Sequence, residues 1–307
     1  MAQGPQDFGP LATRNHRAPA LPFLRFEPRF GVLRTGREDT VALTVANDFR
    51  DVSRGPLRVS EDQETTRLAW TQRQALGHGA EWGFELPFLS RGGGFLDPMI
   101  DWWHANVLHW SNPDRDAAPF GHSAVELPGS RTFGSASGIG DVSVFAAKAM
   151  GRDLVARAAL KLPTGDPRRL MGSGGIDAGV MLDWRRPLGG TWTAFAGAGL
   201  VLQSPATELD GTRGWADQEY LALMHRANSR DEWIVQWQSE RAPLSTGVPA
   251  SDATHRLVTF AYRRRLDEGS ALELFFSEDR DLFSGAWPEG ANTGPDITVG
   301  VRFVTRR

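Results

Sequence analysis

The chain has 307 residues, a formal net charge of −3 and no cysteine, and these features exclude several classes of protein. Without cysteine, neither a disulfide framework nor a cysteine nucleophile or cysteine metal site is available. The slight negative charge argues against a nucleic-acid binder, which normally carries a concentrated basic face. No run approaches the ~18 to 20 consecutive apolar residues of a transmembrane helix, so a helical membrane protein is excluded as well.

The N-terminal stretch, residues 1–36, is rich in Pro and Arg, and we predict a mostly irregular lead-in there. It opens with Met-Ala-Gln-Gly-Pro, which has neither the basic start nor the apolar stretch of a signal peptide. For an exported protein, we therefore expect this chain to be the mature form. The rest of the chain, residues 37–307, is predicted to form one β-barrel domain.

Alternation of apolar with polar residues marks most of the chain from Val41 onward. Even-numbered residues from Leu154 to Leu162 are apolar, whereas Arg157 and Lys161 lie on the opposite face, because the side chains of a strand alternate with period two. Similar runs recur to the end of the chain. They make about twelve strands of about ten residues each, an even number at the length that a tilted membrane strand needs.

This periodicity breaks once, in an insertion at about residues 92–137. Asp97 is a suitable N-cap and Pro98 suits the first helical position, so we predict one amphipathic helix at about 98–109 followed by a polar loop. Amphipathic aromatic side chains anchor at membrane interfaces. The tryptophans expected to do so here are Trp102, Trp103 and Trp110.

Charged and amide side chains repeatedly occupy the minority face in mid-strand. They are Arg67, Glu81, Glu85, Arg157, Lys161, Asp177, Asp183, Glu232, Gln236, Glu240, Glu273 and Arg302. In a transmembrane barrel they would line the lumen, where water and opposite charges satisfy them. A large soluble sandwich or lipocalin-like barrel with a solvated outer face is the alternative. We predict an all-β fold, a single antiparallel transmembrane β-barrel of about twelve strands with one short amphipathic helix inserted.

Two turn motifs carry a resemblance to known proteins. Gly138–Asp141 reads Gly-Ile-Gly-Asp and Leu162–Asp166 reads Leu-Pro-Thr-Gly-Asp, which is similar to outer-membrane barrels linked to the uptake of aromatic and other hydrophobic compounds. The last strand, with Phe303, resembles the C-terminal signal that such barrels present to their insertion machinery, although Val304–Arg307 follow the aromatic residue here. The resemblance implies a location in the outer membrane of a Gram-negative bacterium.

A second set of residues resembles more narrowly an uncharacterised bacterial family, domain of unknown function 3187. The set comprises Asp62, Glu64, Arg67, Gly94, Asp97, Asp101 and His104. This likeness runs from about residue 8 to the C-terminus, and it implies the same fold and location without an established activity. We interpret Asp62, Glu64 and Arg67 as one charge cluster at a strand entrance, with structural pairing favoured over contact with a ligand.

Catalysis and metal binding have little support in the sequence. The segment of His109, Ser111 and Asn112 resembles the His-x-Ser-Asn segment of outer-membrane phospholipase, in which the histidine would activate the serine as a nucleophile. Here the segment follows a predicted helix instead of lying within a strand. His104 and His109 lie off a common helical face, so we predict no metal site, and no cofactor is expected.

The function that we expect is that of a passive channel or binding protein for a small hydrophobic molecule, without enzymatic activity. Two alternatives stay open. One is an outer-membrane lipid hydrolase that uses His109 and Ser111, and the other is a closed structural barrel without transport. The expected partners are membrane lipid, a small hydrophobic ligand and the outer-membrane insertion machinery, with no nucleic acid among them.

Overall fold

The chain forms a closed antiparallel β-barrel of twelve strands, which confirms the predicted fold class. The structure is a computed structural model that describes residues 8–103, 105–106, 109, 119–279 and 294–307. Its strands are β1 Arg37–Arg54, β2 Leu57–Gly77, β3 Ala80–Gly92, β4 Ala124–Glu126, β5 Ala136–Ile139, β6 Ser143–Ala149, β7 Leu154–Lys161, β8 Asp177–Gly189, β9 Trp192–Leu202, β10 Trp215–Arg226, β11 Asp231–Glu240, β12 His255–Arg265, β13 Ser270–Asp279 and β14 Ile297–Arg306. Its helices are α1 Asp97–Trp103 and α2 Pro249–Asp252, with a 3₁₀ turn at Pro167–Arg169.

Fourteen strand segments make twelve barrel strands, because two of the segments are short. β5 and β6 both pair with β3 and together form one interrupted barrel strand. β4 pairs with the first part of β2, where Glu61 lies opposite Val125. The barrel closes where β14 pairs with β1, in a register that sets Val301 opposite Leu43.

The two faces of each strand meet different surroundings, as the alternation predicts. On β7, Leu160 is 46% exposed, while Arg157 and Lys161 are buried on the other face. On β8, Leu182 is exposed and Asp183 is completely buried. The apolar set of side chains therefore covers the outside of the barrel, and the charged set fills its inside.

The two ends of the barrel differ in the length of their connections. The short-turn end holds the start of β1, the end of β14 and the short turns at residues 78–79, 150–153, 190–191, 227–230 and 266–269. The opposite end, called the long-loop end, holds the longer connections after β3, β7, β9, β11 and β13. The β1–β2 hairpin also turns at the long-loop end.

The inserted helix α1 begins at Asp97, one residue before the predicted start, and is described as far as Trp103. The remainder of the predicted helix lies partly outside the described residues. The sequence predicts Asp97 as an N-cap, but its carboxylate accepts hydrogen bonds from Asn47 Nδ2 at 2.8 Å and from the Gly121 N–H at 3.0 Å. These donors come from a distant strand and loop, which the local pattern does not contain. No helix among the described residues is long and apolar enough to cross a membrane.

Candidate functional site

The lumen of the barrel is occupied by residues 8–36, called the plug segment below. Phe8 lies at the short-turn end, where the guanidinium of Arg306 is 4.1 Å from its ring centre. Arg17 reaches the long-loop end, where its Nε donates to Glu61 Oε2 at 2.8 Å. The segment then returns to the short-turn end, where β1 begins. Both limbs of the plug segment therefore run inside the barrel.

Side chains of the wall satisfy the backbone of the plug segment, which forms no strand of its own. Wall carboxylates and an amide accept from the N–H groups of Leu24 (Asp177, 2.9 Å), Phe26 (Gln218, 2.8 Å) and Leu33 (Glu81, 2.8 Å). Wall arginines donate to the C=O groups of Gly9 (Arg263, 2.9 Å), Glu27 (Arg157, 3.0 Å) and Gly31 (Arg73, 2.7 Å). A buried backbone group without a partner is costly, so these bonds are what allow an irregular segment to lie inside.

The charges of β7 and β8 pair with each other inside the barrel. Arg157 donates to both carboxylate oxygens of Asp183, at 2.5 and 2.7 Å. Lys161 Nζ lies 2.6 Å from Asp141 Oδ2 and 3.6 Å from Asp177 Oδ2. Pairing of this kind compensates charges that are withdrawn from bulk water.

A second network is centred on Arg263, which is completely buried in β12. Arg263 donates to Glu273 at 2.6 Å and to Glu232 at 2.9 Å. Glu232 also accepts from Arg265 at 2.7 Å, and Glu273 accepts from Arg302. Arg226 of β10 also donates to Glu232, at 3.0 Å, so four arginines share two carboxylates in one network of wall side chains.

The third group of wall charges lies on β1, β2 and β3. Arg73 bridges Glu38 at 2.7 Å and Glu81 at 2.8 Å. Arg67 pairs with Glu85, which lies on the neighbouring strand. Every predicted lumen residue that is charged in these strands therefore has a wall partner of opposite charge.

The plug segment adds ion pairs of its own to the lumen. They join Arg17 to Glu61, Arg25 to Glu240 at 3.0 Å, and Glu27 to Arg67 at 3.5 Å. Glu240 Oε1 also lies 3.2 Å from His255 Nδ1, and Gln236 Nε2 donates to Gln238 at 3.1 Å. Sequence reasoning missed the plug residues, although the recurring Arg and Phe in a Pro-rich stretch were a signal that the segment packs against something.

The residues of the family motif divide between the two sides of the wall and do not form one cluster. Arg67 points into the lumen, whereas Glu64 lies on the opposite face of β2 and accepts the N–H groups of Phe95 and Leu96 at 3.1 and 3.0 Å. A Cβ at Gly94, whose φ is +63°, would overlap the Glu64 side chain. These contacts dock the start of α1 against the outside of the barrel.

The remaining motif residues belong to the same docking region or lie outside the described residues. Asp62 Oδ2 is 3.5 Å from His122 Nδ1, in the connection that follows α1. Asp101 lies on α1 and is partly buried, whereas His104 is outside the described residues. Trp102 is 58% exposed, and the Trp103 side chain and Trp110 lie outside the described part.

The two turn motifs bind each other at the long-loop end. Asp141 of the first motif accepts the Gly165 N–H at 2.9 Å and the Ser173 N–H at 3.0 Å. Thr164 Oγ1 accepts the Val142 N–H at 2.8 Å. The motifs therefore hold a loop in place over the end of the lumen.

The structure brings no catalytic or metal-binding group together among the residues it describes. His109 is exposed, with a φ of +53°, and Ser111 and Asn112 lie outside the described residues. No group of His, Cys, Asp or Glu in the described part of the chain has the arrangement needed to hold a metal ion. The largest group of buried polar side chains in that part is the charged lumen itself.

Comparison with solved structures gives the same architecture. The COG4313 outer membrane channel from Pseudomonas putida F1 matches with a TM-score of 0.59 at 14% identity, over 91% of this chain and 98% of that chain. The translocator domain of the autotransporter NalP from Neisseria meningitidis gives 0.48 at 11% identity, over 89% of each chain. The P. putida toluene transporter TodX gives 0.45 at 11% identity, over 95% of this chain and 93% of that chain. At 14% identity the likeness to the first of these structures concerns the fold alone, and nothing is inferred from the two lower scores.

Sequence comparisons give one family. The model of the family described as "Protein of unknown function (DUF3187)" matches residues 51–284. No curated protein sequence matches the chain.

Proposed function

The chain belongs to this DUF3187 family, and from its plugged and charge-paired lumen we propose that it is an outer-membrane channel for a small hydrophobic molecule. In this proposal the molecule passes without energy input once the plug segment has moved aside. The wall keeps its structure while the plug segment moves. Membrane lipid surrounds the wall, and the outer-membrane insertion machinery inserts the barrel into the membrane.

The observation that carries the proposal is that the wall charges pair with other wall charges. Arg157 has Asp183, and Arg263 has two glutamates of neighbouring strands. Removal of the plug segment therefore leaves most buried wall charges compensated, and water can enter around them. Eight strands already give a barrel that side chains alone can fill, so twelve strands leave space that this chain fills with a removable segment.

The outer surface supports a membrane location. Exposed aliphatic side chains such as Leu160, Val180 and Leu221 cover the outer face of the strands. Exposed tryptophans lie close to the short turns, as in the aromatic girdles of outer-membrane barrels. They are Trp82, Trp184, Trp192 and Trp233. Inside the barrel, Phe26 and Phe30 of the plug segment pack in one apolar cluster with Phe195 and Met181 of the wall. When the plug segment moves aside, Phe195 and Met181 offer an apolar surface to a hydrophobic permeant.

Tethering the plug segment to the wall tests this function directly. Asn15 Nδ2 and His255 Nδ1 are 2.9 Å apart, and the chain has no cysteine of its own. The variant Asn15→Cys/His255→Cys is joined with a short thiol-reactive crosslinker, and conductance in planar bilayers and liposome swelling are compared before and after reduction of the link. We expect crosslinking to lower both at least tenfold and reduction to restore them.

The matched control crosslinks two neighbouring strands of the wall to each other. Thr259 and Ser277 face each other on β12 and β13, with their hydroxyl oxygens 2.7 Å apart. Crosslinking Thr259→Cys/Ser277→Cys should leave conductance unchanged. Conductance that survives the plug tether, or that falls equally in the control, contradicts a gating role for the plug segment. A barrel that conducts in no state supports the closed structural alternative.

The hydrolase alternative needs its own measurement. The serine that it requires is Ser111. We expect purified protein to release no fatty acid from phospholipid vesicles above background, and Ser111→Ala to behave identically. A hydrolysis signal in the parent that disappears in Ser111→Ala would replace the channel with an enzyme.

A further inference from the structure

Two buried arginines of the plug segment have no carboxylate partner among the described residues. Arg14 donates instead to the C=O groups of Leu21 and Phe23, whereas Arg29 has no such bond within the described part of the chain. Arg17 and Arg25 each pair with a wall glutamate. No carboxylate among the described residues lies within ion-pair distance of Arg29, and its Nε has no hydrogen-bond partner. Its guanidinium instead lies over the Phe145 ring, 4.3 Å from the ring centre. A guanidinium inside the closed lumen is unfavourable without an opposite charge, because burial has removed the water that would solvate it.

A cavity of about 70 Å³ lies beside this guanidinium. Arg29 and Phe145 line it together with the hydroxyl-bearing residues Thr40, Thr71 and Ser143. This space is large enough for water or a small ion, and it is far below the ~300 Å³ or more of a site for a drug-sized molecule. Guanidinium and hydroxyl groups both donate hydrogen bonds, which is the lining that an anion needs.

The carboxylates in the same lining do not serve Arg29, because other arginines hold them. These carboxylates are Glu27, Glu38 and Glu85. Glu38 pairs with Arg73, and both Glu27 and Glu85 pair with Arg67. A mobile anion is therefore the counter-charge that the site lacks. The wall arginines Arg67 and Arg73 do not need one, since carboxylates on adjacent strands pair with them.

We propose that this cavity binds a small monovalent anion, a halide or a carboxylate group, as the counter-ion of Arg29. A free ion and the head group of an amphipathic acid share this chemistry. The acid would set its apolar atoms against Phe26 and Phe145, which line the same cavity. Because Arg29 belongs to the plug segment, the site is complete only while the segment is seated, so anion binding stabilises the closed barrel. The site does not require that the barrel conduct.

Thermal unfolding of the refolded protein in detergent micelles tests the site. The probes are sodium formate and sodium benzoate, and sodium gluconate at equal ionic strength is the reference because gluconate is too large for the cavity. A ligand that binds only the folded state raises the unfolding midpoint, so we expect formate to raise it saturably in the parent. Arg29→Gln should weaken the apparent affinity at least tenfold, and Arg29→Lys should keep part of it.

The matched control is Arg34→Gln, which removes an exposed arginine of the same segment and should respond to formate as the parent does. Where Arg29→Gln does not refold, Ser143→Val provides the second variant, because a larger apolar side chain narrows the cavity and removes a donor. Loss of the saturable response in either variant supports the site. A response of equal size in gluconate, or one retained in both variants, overturns it.

Benzoate separates the two sources of the anion. Affinity for benzoate at least tenfold above that for formate identifies an organic acid whose ring meets the phenylalanines, whereas equal or weaker affinity identifies a small free ion. The crosslinked Asn15→Cys/His255→Cys protein should bind formate as well as the reduced form does, because its plug segment stays seated. The result of the anion-binding test in the crosslinked form therefore does not depend on whether the barrel conducts.

Discussion

The wall of the barrel and the plug segment are built in opposite ways. In the wall, strands that are neighbours in sequence pair with each other, and charged partners such as Arg157 and Asp183 lie on adjacent strands. In the plug segment, partners lie far away in sequence, as far as the 254 residues that separate Gly9 from Arg263. The wall is stabilised by its own contacts, whereas the plug segment combines a few bonds of its own, such as those of Arg14 to Leu21 and Phe23, with many bonds to the wall. This difference is what we expect when the wall stays folded while the plug segment moves.

The largest expected effect comes from breaking the Arg263 network in the wall. Arg263→Met removes one charged hydrogen bond from each of Glu232 and Glu273, while Arg265 and Arg302 remain beside them. A buried bond to a charged group is worth about 1.5 to 3 kcal/mol, so we expect the two losses together to lower the free energy of unfolding by about 3 to 5 kcal/mol. The control is Arg264→Met, which removes the neighbouring, half-exposed arginine that pairs with Asp231 and should have a much smaller effect, because solvent screens an exposed ion pair. Urea unfolding in lipid vesicles measures both. Equal effects would mean that the network is open to solvent.

The next largest effect tests the outside of the same wall. Leu160→Arg sets a charge on the apolar face of β7, which costs about 2 to 4 kcal/mol at the bilayer midplane. Leu188→Arg makes the same change on an exposed residue beside a short turn, where the cost falls to about 0 to 1 kcal/mol. The same unfolding measurement compares them. A harmless Leu160→Arg would indicate that this face meets water instead of lipid.

Sequence reasoning was well suited to the wall and poorly suited to the plug segment. Period-two alternation assigns each side chain to a face, and short turns pair consecutive strands, so strand number and closure followed from local pattern. The plug segment has no period, and its hydrogen bonds go to side chains on distant strands. Residues such as Arg17 and Arg29 therefore look like solvated surface in the sequence, although one pairs with buried Glu61 and the other lines a cavity.

The docking of α1 shows the same limit on a smaller scale. The local pattern around Asp97 and Pro98 predicts a helix start, and the helix starts there. The pattern does not contain Asn47 or Gly121, to which the Asp97 carboxylate binds. Glu64 and Arg67 were grouped by closeness in sequence, but an odd spacing along a strand sends them to opposite faces.

A smaller effect is expected when the plug segment is loosened. Arg17→Gln removes the pair with Glu61 and the bond to Ser251. A lost bond to a charged group is worth about 1.5 to 3 kcal/mol, so we expect the open fraction in single-channel recordings to rise about tenfold or more. The unfolding free energy of the wall should change much less than in Arg263→Met, because Glu61 gains water when the segment moves aside. Arg34→Gln serves as the control and should alter neither the open fraction nor the unfolding free energy. An Arg17→Gln barrel that stays closed while its wall unfolds more easily would show that the plug segment is a fixed part of the folded barrel.

The smallest effect concerns α1, which belongs to neither the wall nor the plug segment. Trp102 is exposed on the outside of the barrel beside Met99, and an interfacial tryptophan is quenched best by lipids brominated near the headgroup. We expect Trp102→Phe to lower the fraction of fluorescence quenched by shallow bromines and to leave quenching by deep bromines unchanged. Trp82→Phe, at the opposite end of the barrel, should instead lower quenching from the other leaflet in vesicles that carry brominated lipid on one side, where Trp184, Trp192 and Trp233 account for the rest. Unfolding should shift by less than about 0.5 kcal/mol in both variants, because neither side chain contributes to the lumen network. If Trp102→Phe changes quenching at neither depth, α1 lies away from the lipid and serves only to cover the outside of the long-loop end.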